Sequence, residues 1–278
     1  MCVRGLIFVL ILYLSVEFAE LRKAKSYNPI SLTGEVDWDL LVFTQHWPAT
    51  VCKVWSHKKP NHSCIYPKAR DIWTIHGSWP TKLGTRGPEN CNSSWLFDPE
   101  QVRPIEDELE QLWINIEKGT GLYDLWVHEW TKHGTCAATI EPLNNEFKYF
   151  SKGLEFQKQY TMTKILGDAN IHPSNSQPVT IDKINQAIIS KIGKRPMIRC
   201  QYEDHIQYLF EIRLCFDKKL SLTDCDPLTH LNKNVRDIDG SLTNCNVNAH
   251  IIYPEQDSQK FDLVQAYKFI QWLQWFTL

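Results

Sequence analysis

The chain has 278 residues, 43% of them hydrophobic and 22% charged, with a formal net charge of −2. That apolar content excludes global disorder and can fill the core of one large domain or two small ones. The near-neutral balance excludes a strongly basic nucleic-acid binder at pH 7, although full protonation of the ten His in acid would carry the charge to about +8 if the carboxylates stayed ionised.

The N-terminus reads as an export signal over residues 1–24. Arg4 supplies the positive start, and the apolar run 6–16 has the length of a signal core and is too short to span a bilayer. Cleavage is placed after Ala19, with an uncleaved anchor as the alternative because Glu17 fits poorly three residues before the cut. A cleaved chain is expected to have no stable membrane span. Residues 40–43 form a short buried strand. In 71–80, DIWTIHGSWP, Trp73 and Ile75 face one way and Thr74 and His76 the other, with Gly77 and Pro80 ending the strand. Residues 98–118 read as a helix with apolar positions Ile105, Leu109, Leu112, Trp113 and Ile116, stopped by Gly119. Residues 145–160 are helical. So are 180–191, where Ile181, Ile184, Ile188 and Ile192 make one stripe between a Thr180 cap and a Gly193 stop. Residues 207–216 alternate as a strand with one buried face. The tail 267–276 puts Phe269, Trp272, Leu273 and Phe276 on one helical face. It is expected to dock on the core, since a membrane-surface helix would need a basic polar face. Strands and helices mix without regular βαβ alternation, which favours an α+β fold. The 11 Trp favour a packed core with aromatic platforms at a binding surface.

Beside Cys2 in the signal there are eight cysteines: Cys52, Cys64, Cys91, Cys136, Cys200, Cys215, Cys225 and Cys245. An even set in an exported chain implies disulfides, but spacing alone leaves their pairing open. No Cys-x-x-Cys pair occurs, which argues against a cysteine-rich zinc site. Two N-glycosylation sequons begin at Asn61 and Asn92.

The stretch YDLWVHEWTKHG, 123–134, reads as an α-helix that buries Trp126 and Trp130 and is capped by Gly134. Its HEWTKH segment superficially resembles a zinc-protease motif. There the two His are four apart; here His128 and His133 are five apart. Five residues turn an α-helix by about 500°, leaving the two side chains about 140° apart, so no metal is expected. Without a metal, the residues suit RNA cleavage by its own 2′-hydroxyl. That reaction needs one group to take a proton, another to give one, and cations for the phosphorane. His133 and His76 can take and give the protons, Lys132 and His128 can supply the cations that stabilise the phosphorane, and Glu129 can act as a protonated donor or orient a histidine. Trp79 offers a stacking surface for a base.

WTIHGSWP (73–80) and HEWTKHGTC (128–136) closely resemble the two active-site segments of the ribonuclease T2 family, usually WTIHGLWP and HEWxKHGTC. FTQHWPATVC (43–52) resembles that family's first strand. The likeness covers roughly residues 37–254, so 25–254 is taken as the catalytic domain and 255–278 as an extension. The resemblance implies an α+β fold with a central antiparallel sheet and disulfides Cys52–Cys64, Cys91–Cys136, Cys200–Cys245 and Cys215–Cys225. It implies a metal- and cofactor-free endoribonuclease, monomeric, secreted or lysosomal and acting best in acid. Single-stranded RNA would be cut to 2′,3′-cyclic and then 3′-phosphates, and DNA spared. Carried over residue by residue, His133 is the first-step base and His76 the acid, with the reverse assignment as the alternative. His128 binds phosphate, Glu129 and Lys132 stabilise the phosphorane, Trp79 stacks in the first base site, and Gln45 lines the second. Two positions depart. Ser78 stands where Leu is usual, and Leu125 where Phe is usual, which is expected to weaken stacking on the second base. An interaction or signalling glycoprotein on the same fold, with catalysis incidental, is the rival function.

Overall fold

The computed structural model describes residues 36–256 except 60, 86, 232–235 and 239. The expected signal, 1–24, and the expected tail helix, 267–276, lie outside these residues. Nine strands form one mixed sheet: β1 Leu40–His46, β2 Thr74–Thr81, β3 Ser174–Val179, β4 Met197–Glu203, β5 Ile206–Phe216, β6 Leu222–Thr223, β7 Arg236–Ile238, β8 Ser241–Thr243 and β9 Ile251–Tyr253. The main path runs β2-β1-β5-β4-β8-β7. Pairing is antiparallel along β2-β1-β5-β4, the expected central sheet, and again in β3·β9, β5·β6 and β7·β8, while β4·β8 and β5·β9 are parallel junctions. All four disulfides that the resemblance implied are formed.

The sheet separates two apolar clusters. The larger takes Leu41 and Phe43 from β1 and packs them with Trp73, Ile75, Trp113, Trp126, Trp130, Tyr149 and Phe150. The smaller takes Leu40 and Val42 from the opposite face of β1, with Met197, Cys215 and Leu242. Six of the nine Trp among the described residues are buried: Trp38, Trp47, Trp73, Trp113, Trp126 and Trp130.

Several helices form as their sequences dictate. Ile181–Ile192 is capped by Thr180, whose hydroxyl accepts from the Lys183 amide, and ends at a left-handed Gly193 with φ 68°. Glu146–Gln159 starts at Asn145, whose side chain accepts from the Lys148 amide at 2.8 Å. The expected helix 98–118 is instead broken. Pro99–Val102 passes through a tight turn at Arg103–Ile105 into Glu106–Leu112 and stops there. Pro104 lacks an amide for a continuous ladder, and the Trp113 carbonyl accepts from the Trp126 indole at 2.8 Å. Ile116 is buried all the same, because the chain at Ile65 crosses it and donates its amide to the Ile116 carbonyl. β1 runs three residues beyond the expected strand, and β2 continues through Gly77 and Pro80. Pro80 is tolerated because β2 is the edge strand of the path. β5 is covered on both faces rather than one, since Glu211 and Cys215 are as buried as Ile212 and Leu214. No helix among the described residues is long and apolar enough to cross a membrane.

Gly153 lets the Glu146–Gln159 helix lie directly on Trp113, since a Cβ there would sit 2.3 Å from the indole ring. Gly153→Ala is expected to destabilise the fold by about 1–3 kcal/mol, read as a lower midpoint in equilibrium urea unfolding.

Candidate active site

The site begins with a break in the ladder. In the β1·β2 register Thr44 pairs Gly77 while the next residue, Gln45, pairs Ile75, which leaves His76 as the extra residue of a β-bulge. The bulge changes which way the following side chains point. Trp73 and Ile75 enter the large core, yet Trp79 lies against the small one, beside His76. The His76 and Trp79 rings meet edge to face at 5.0 Å. Ser78 is turned inward opposite Phe43, and its hydroxyl is buried without a hydrogen-bond partner. That inward position accounts for an apolar residue being usual there.

Strand β5 supplies the partner that sequence reasoning missed. His76 Nδ1 lies 2.8 Å from Oε1 of Glu211, whose side chain is 2% exposed while that of His76 is 33% exposed. The other Glu211 oxygen accepts from Arg213 Nη2 at 2.7 Å and Nε at 3.2 Å, with Arg199 Nη1 at 3.6 Å. His46 stacks on His76 with centroids 5.1 Å apart. The one available signal was the pair Glu211 and Arg213, two charges on the face of a strand opposite its apolar alternation.

The second half of the site corrects the expected helix. Asp124–Glu129 is α-helical, but Trp130–Gly134 forms a π turn, in which the Thr135 amide reaches back to the Trp130 carbonyl. Gly134 is no cap: its φ is −60°, and a Cβ there would lie 2.2 Å from the Trp130 ring. The widened turn brings residues five apart onto one face. His128 and His133 therefore meet at 6.3 Å rather than diverging, and ligand-capable atoms of His128, Glu129 and His133 lie within 4.8 Å of one another. The five-residue spacing of His128 and His133 therefore does not keep their nitrogens from a common point.

Trp79 joins the halves. Its indole N–H donates to Glu129 Oε2 at 2.9 Å, its ring lies 5.6 Å from that of His133, and the Arg213 guanidinium sits over it at 4.8 Å. It is a wedge between the two histidines more than an open platform. His128 is exposed, and Lys132 reaches Glu89 at 3.5 Å. A cavity of about 360 Å³ beside them is lined by Asn90, Asp124, Val127, His128, Thr131 and Lys132. Leu125 packs partly buried against the large core. Gln45 is not brought to this cluster. It lies on the opposite face of β1 from His46, buried, donating to the Tyr160 carbonyl at 2.8 Å and accepting from the Met162 amide at 3.0 Å. Its neighbour His46 takes the place on the site face.

The charges sort the groups. Burial pulls the His76 pKa down, but the hydrogen bond and charge of Glu211 outweigh it, so His76 ends above the ordinary imidazole range. Burial, reinforced by Lys132 and His128, lowers His133 to about 3. Burial also lowers His46 to about 3 and raises Glu129 to about 7. His128 is lowered by burial and by Lys132. Two histidines thus flank one tryptophan with opposite preferences for the proton.

The profile of the Ribonuclease T2 family matches residues 38–225. Ribonuclease Oy of Magallana gigas is 38% identical over 194 residues, covering 68% of this chain and 88% of that one. Ribonuclease T2 of Danio rerio is 36% identical over 193 residues, 68% and 74% of the two chains. The crystal structure of human RNase T2 superposes with a TM-score of 0.62 at 30% identity, covering 78% of this chain and 99% of that one.

Gly77 is the point of closest approach between the halves, since a Cβ there would lie 2.1 Å from Glu129 Oε2 and 2.2 Å from Trp79 Nε1. Gly77→Ala is expected to separate that pair. Turnover should fall at least roughly tenfold while the thermal transition stays cooperative; unchanged kcat would show that the contact is dispensable.

Proposed function

The chain belongs to the ribonuclease T2 family and is an endoribonuclease that acts on RNA; we propose that it cleaves single-stranded RNA with His133 as base and His76 as acid, most actively in acid. The observation that carries the assignment is the opposite displacement of the two histidines on either side of Trp79. Neutral His133 takes the 2′-hydroxyl proton as the 2′-oxygen forms its bond to phosphorus. The bond to the 5′-oxygen then breaks, and the imidazolium of His76 gives that oxygen a proton. The products are a 2′,3′-cyclic phosphate and a free 5′-hydroxyl. In the second step the roles exchange: water attacks phosphorus, the 2′-oxygen leaves with a proton, and a 3′-phosphate remains.

Lys132 and His128, which line one cavity, hold the phosphate in this reading. Glu129, protonated below about pH 7, can donate to the phosphorane instead of repelling it. Trp79 orders the two histidines and Glu129, and Leu125 contributes an apolar contact to the second base. The disulfides and the exposed Asn61 fit an oxidising secretory route, with Asn92 as a second sugar site.

Purified protein incubated near pH 5 with EDTA is expected to cut single-stranded RNA to 2′,3′-cyclic ends and to leave DNA intact, because DNA has no 2′-hydroxyl. DNA cleavage, or loss of activity in EDTA, would overturn the mechanism. His76→Ala and His133→Ala should each lower kcat by about 10²–10⁴-fold. The rate should rise as His133 loses its proton through about pH 3 and fall as His76 loses its own above the ordinary histidine range, giving a bell displaced to acid.

Leu125→Phe should sharpen preference at the second base by about 1–3 kcal/mol across a dinucleotide series. Identical preferences for the two proteins would remove Leu125 from that subsite.

A further inference from the structure

The acid and base need opposite charge states, yet each is a histidine in the same small volume. His133 becomes neutral through burial. His76 needs something to hold it charged among cations: Arg213 on β5 and His128 on the motif helix disfavour a further positive charge, with Arg199 on β4 reaching the same carboxylate and Lys132 in the π turn beside His128. His46 from β1 stacks on it, and Glu129 and His133 face it from the motif helix and its π turn.

Resting on the acid role proposed for His76, we propose that Glu211 is the positioning residue of that acid: it accepts the Nδ1 proton of His76 and leaves Nε2 to carry the proton that the departing 5′-oxygen receives. The geometry is specific. Glu211 divides its two oxygens, Oε1 to His76 at 2.8 Å and Oε2 to Arg213 at 2.7 Å. The arginines, with the imidazolium, hold Glu211 far below the usual carboxylate range despite its burial, so the proton stays on the ring and does not pass to the carboxylate. The stacked ring of His46 restricts rotation of His76 from the other side and, being neutral down to about pH 3, adds no competing charge. Glu211 lies on β5, paired with His46 on β1 and Arg199 on β4, so its carboxylate is fixed by three strands. It does not touch the reacting atoms and works only through His76.

The test compares two substrates. A dinucleoside phosphate needs a proton on its leaving alkoxide. A nucleoside 3′-(4-nitrophenyl phosphate) does not, because nitrophenolate departs unprotonated. Glu211→Gln should slow the dinucleoside roughly ten- to a hundred-fold, change the aryl ester less than about threefold, and shift the alkaline limb of the pH profile to lower pH. Glu211→Asp should recover part of both effects. Equal losses on both substrates with an unmoved pH profile, or no loss at all, would overturn the proposal. His76→Ala separates this from the underlying reading: if it leaves dinucleoside cleavage intact, the acid assignment itself fails, whereas its loss beside a fully active Glu211→Gln removes Glu211 alone. Should Glu211→Gln not fold, ¹⁵N titration of the imidazoles in the unaltered protein decides, with a His76 pKa below that of a free histidine counting against the proposal.

Discussion

A carboxylate buried as an anion in the middle of the sheet organises this molecule. Isolating the Glu211 charge from water would cost several kcal/mol, and only close, well-aligned cations offset such a cost. The strands provide them in adjacent positions: Arg213 on the same strand, Arg199 across β4, and His76 from the bulge in β2. His46, paired with Glu211 across β1, backs the arrangement. Register and site are therefore one problem. A slip of one residue between β1 and β5 would replace His46 by Gln45 or Trp47 opposite Glu211 and turn the polar row into the apolar core. The parity change at His76 has the same logic, because without the extra residue Trp79 would share the face of Trp73 and Ile75, on the side of the core.

The second constraint is steric. Two glycines permit contacts that no other residue allows. Gly134 lies under the Trp130 ring within the π turn, and Gly77 lies under the Trp79–Glu129 hydrogen bond. Neither has a left-handed backbone, and neither is a helix stop. They thin the backbone where a large ring or a carboxyl must approach, and that thinning lets His133 and His76 sit either side of one indole. Core packing and catalytic geometry are coupled here through tryptophans: Trp113 packs in the large core yet donates to the carbonyl of His76 at 3.0 Å.

What could be read from the sequence follows from what is local. The Ile181–Ile192 helix carries its own cap, stripe and stop, and the structure reproduces them. The two histidine motifs were legible because their residues are contiguous. The bulge and the π turn were not, since each adds a fraction of a turn or a single residue without any marker in residue type. The angular separation expected for His128 and His133 failed for that reason alone. Glu211 escaped because a charge on a strand reads as a solvent face until the tertiary cover of both faces is known. Gln45 took its expected base-site role from the family likeness alone, and β1 parity, which a local reading does not give, turns it toward Tyr160 and Met162. The disulfide pairing could not be read from spacing and came only with the family likeness.

Acid pH acts on this site differently from the way total charge suggests. Counting ten His predicts that acid makes the protein cationic through imidazole, but His46 and His133 stay neutral down to about pH 3 and contribute nothing to that gain. The local change comes from carboxyls instead. Glu129 and Glu146 are both raised to about 7 by burial, so each becomes neutral in mild acid. The signs for stability oppose one another. Groups raised above their unfolded value favour the fold in acid and lose that benefit as pH rises through about 7. The two lowered histidines favour it at neutral pH and lose that benefit as pH falls toward about 3. The interval between those limits is the one in which Glu129 carries its proton, His133 does not, and His76 is still held charged by Glu211. A site built from buried groups thus confines its own working range, and the same burial that sets each proton preference also makes the fold most compatible with it there.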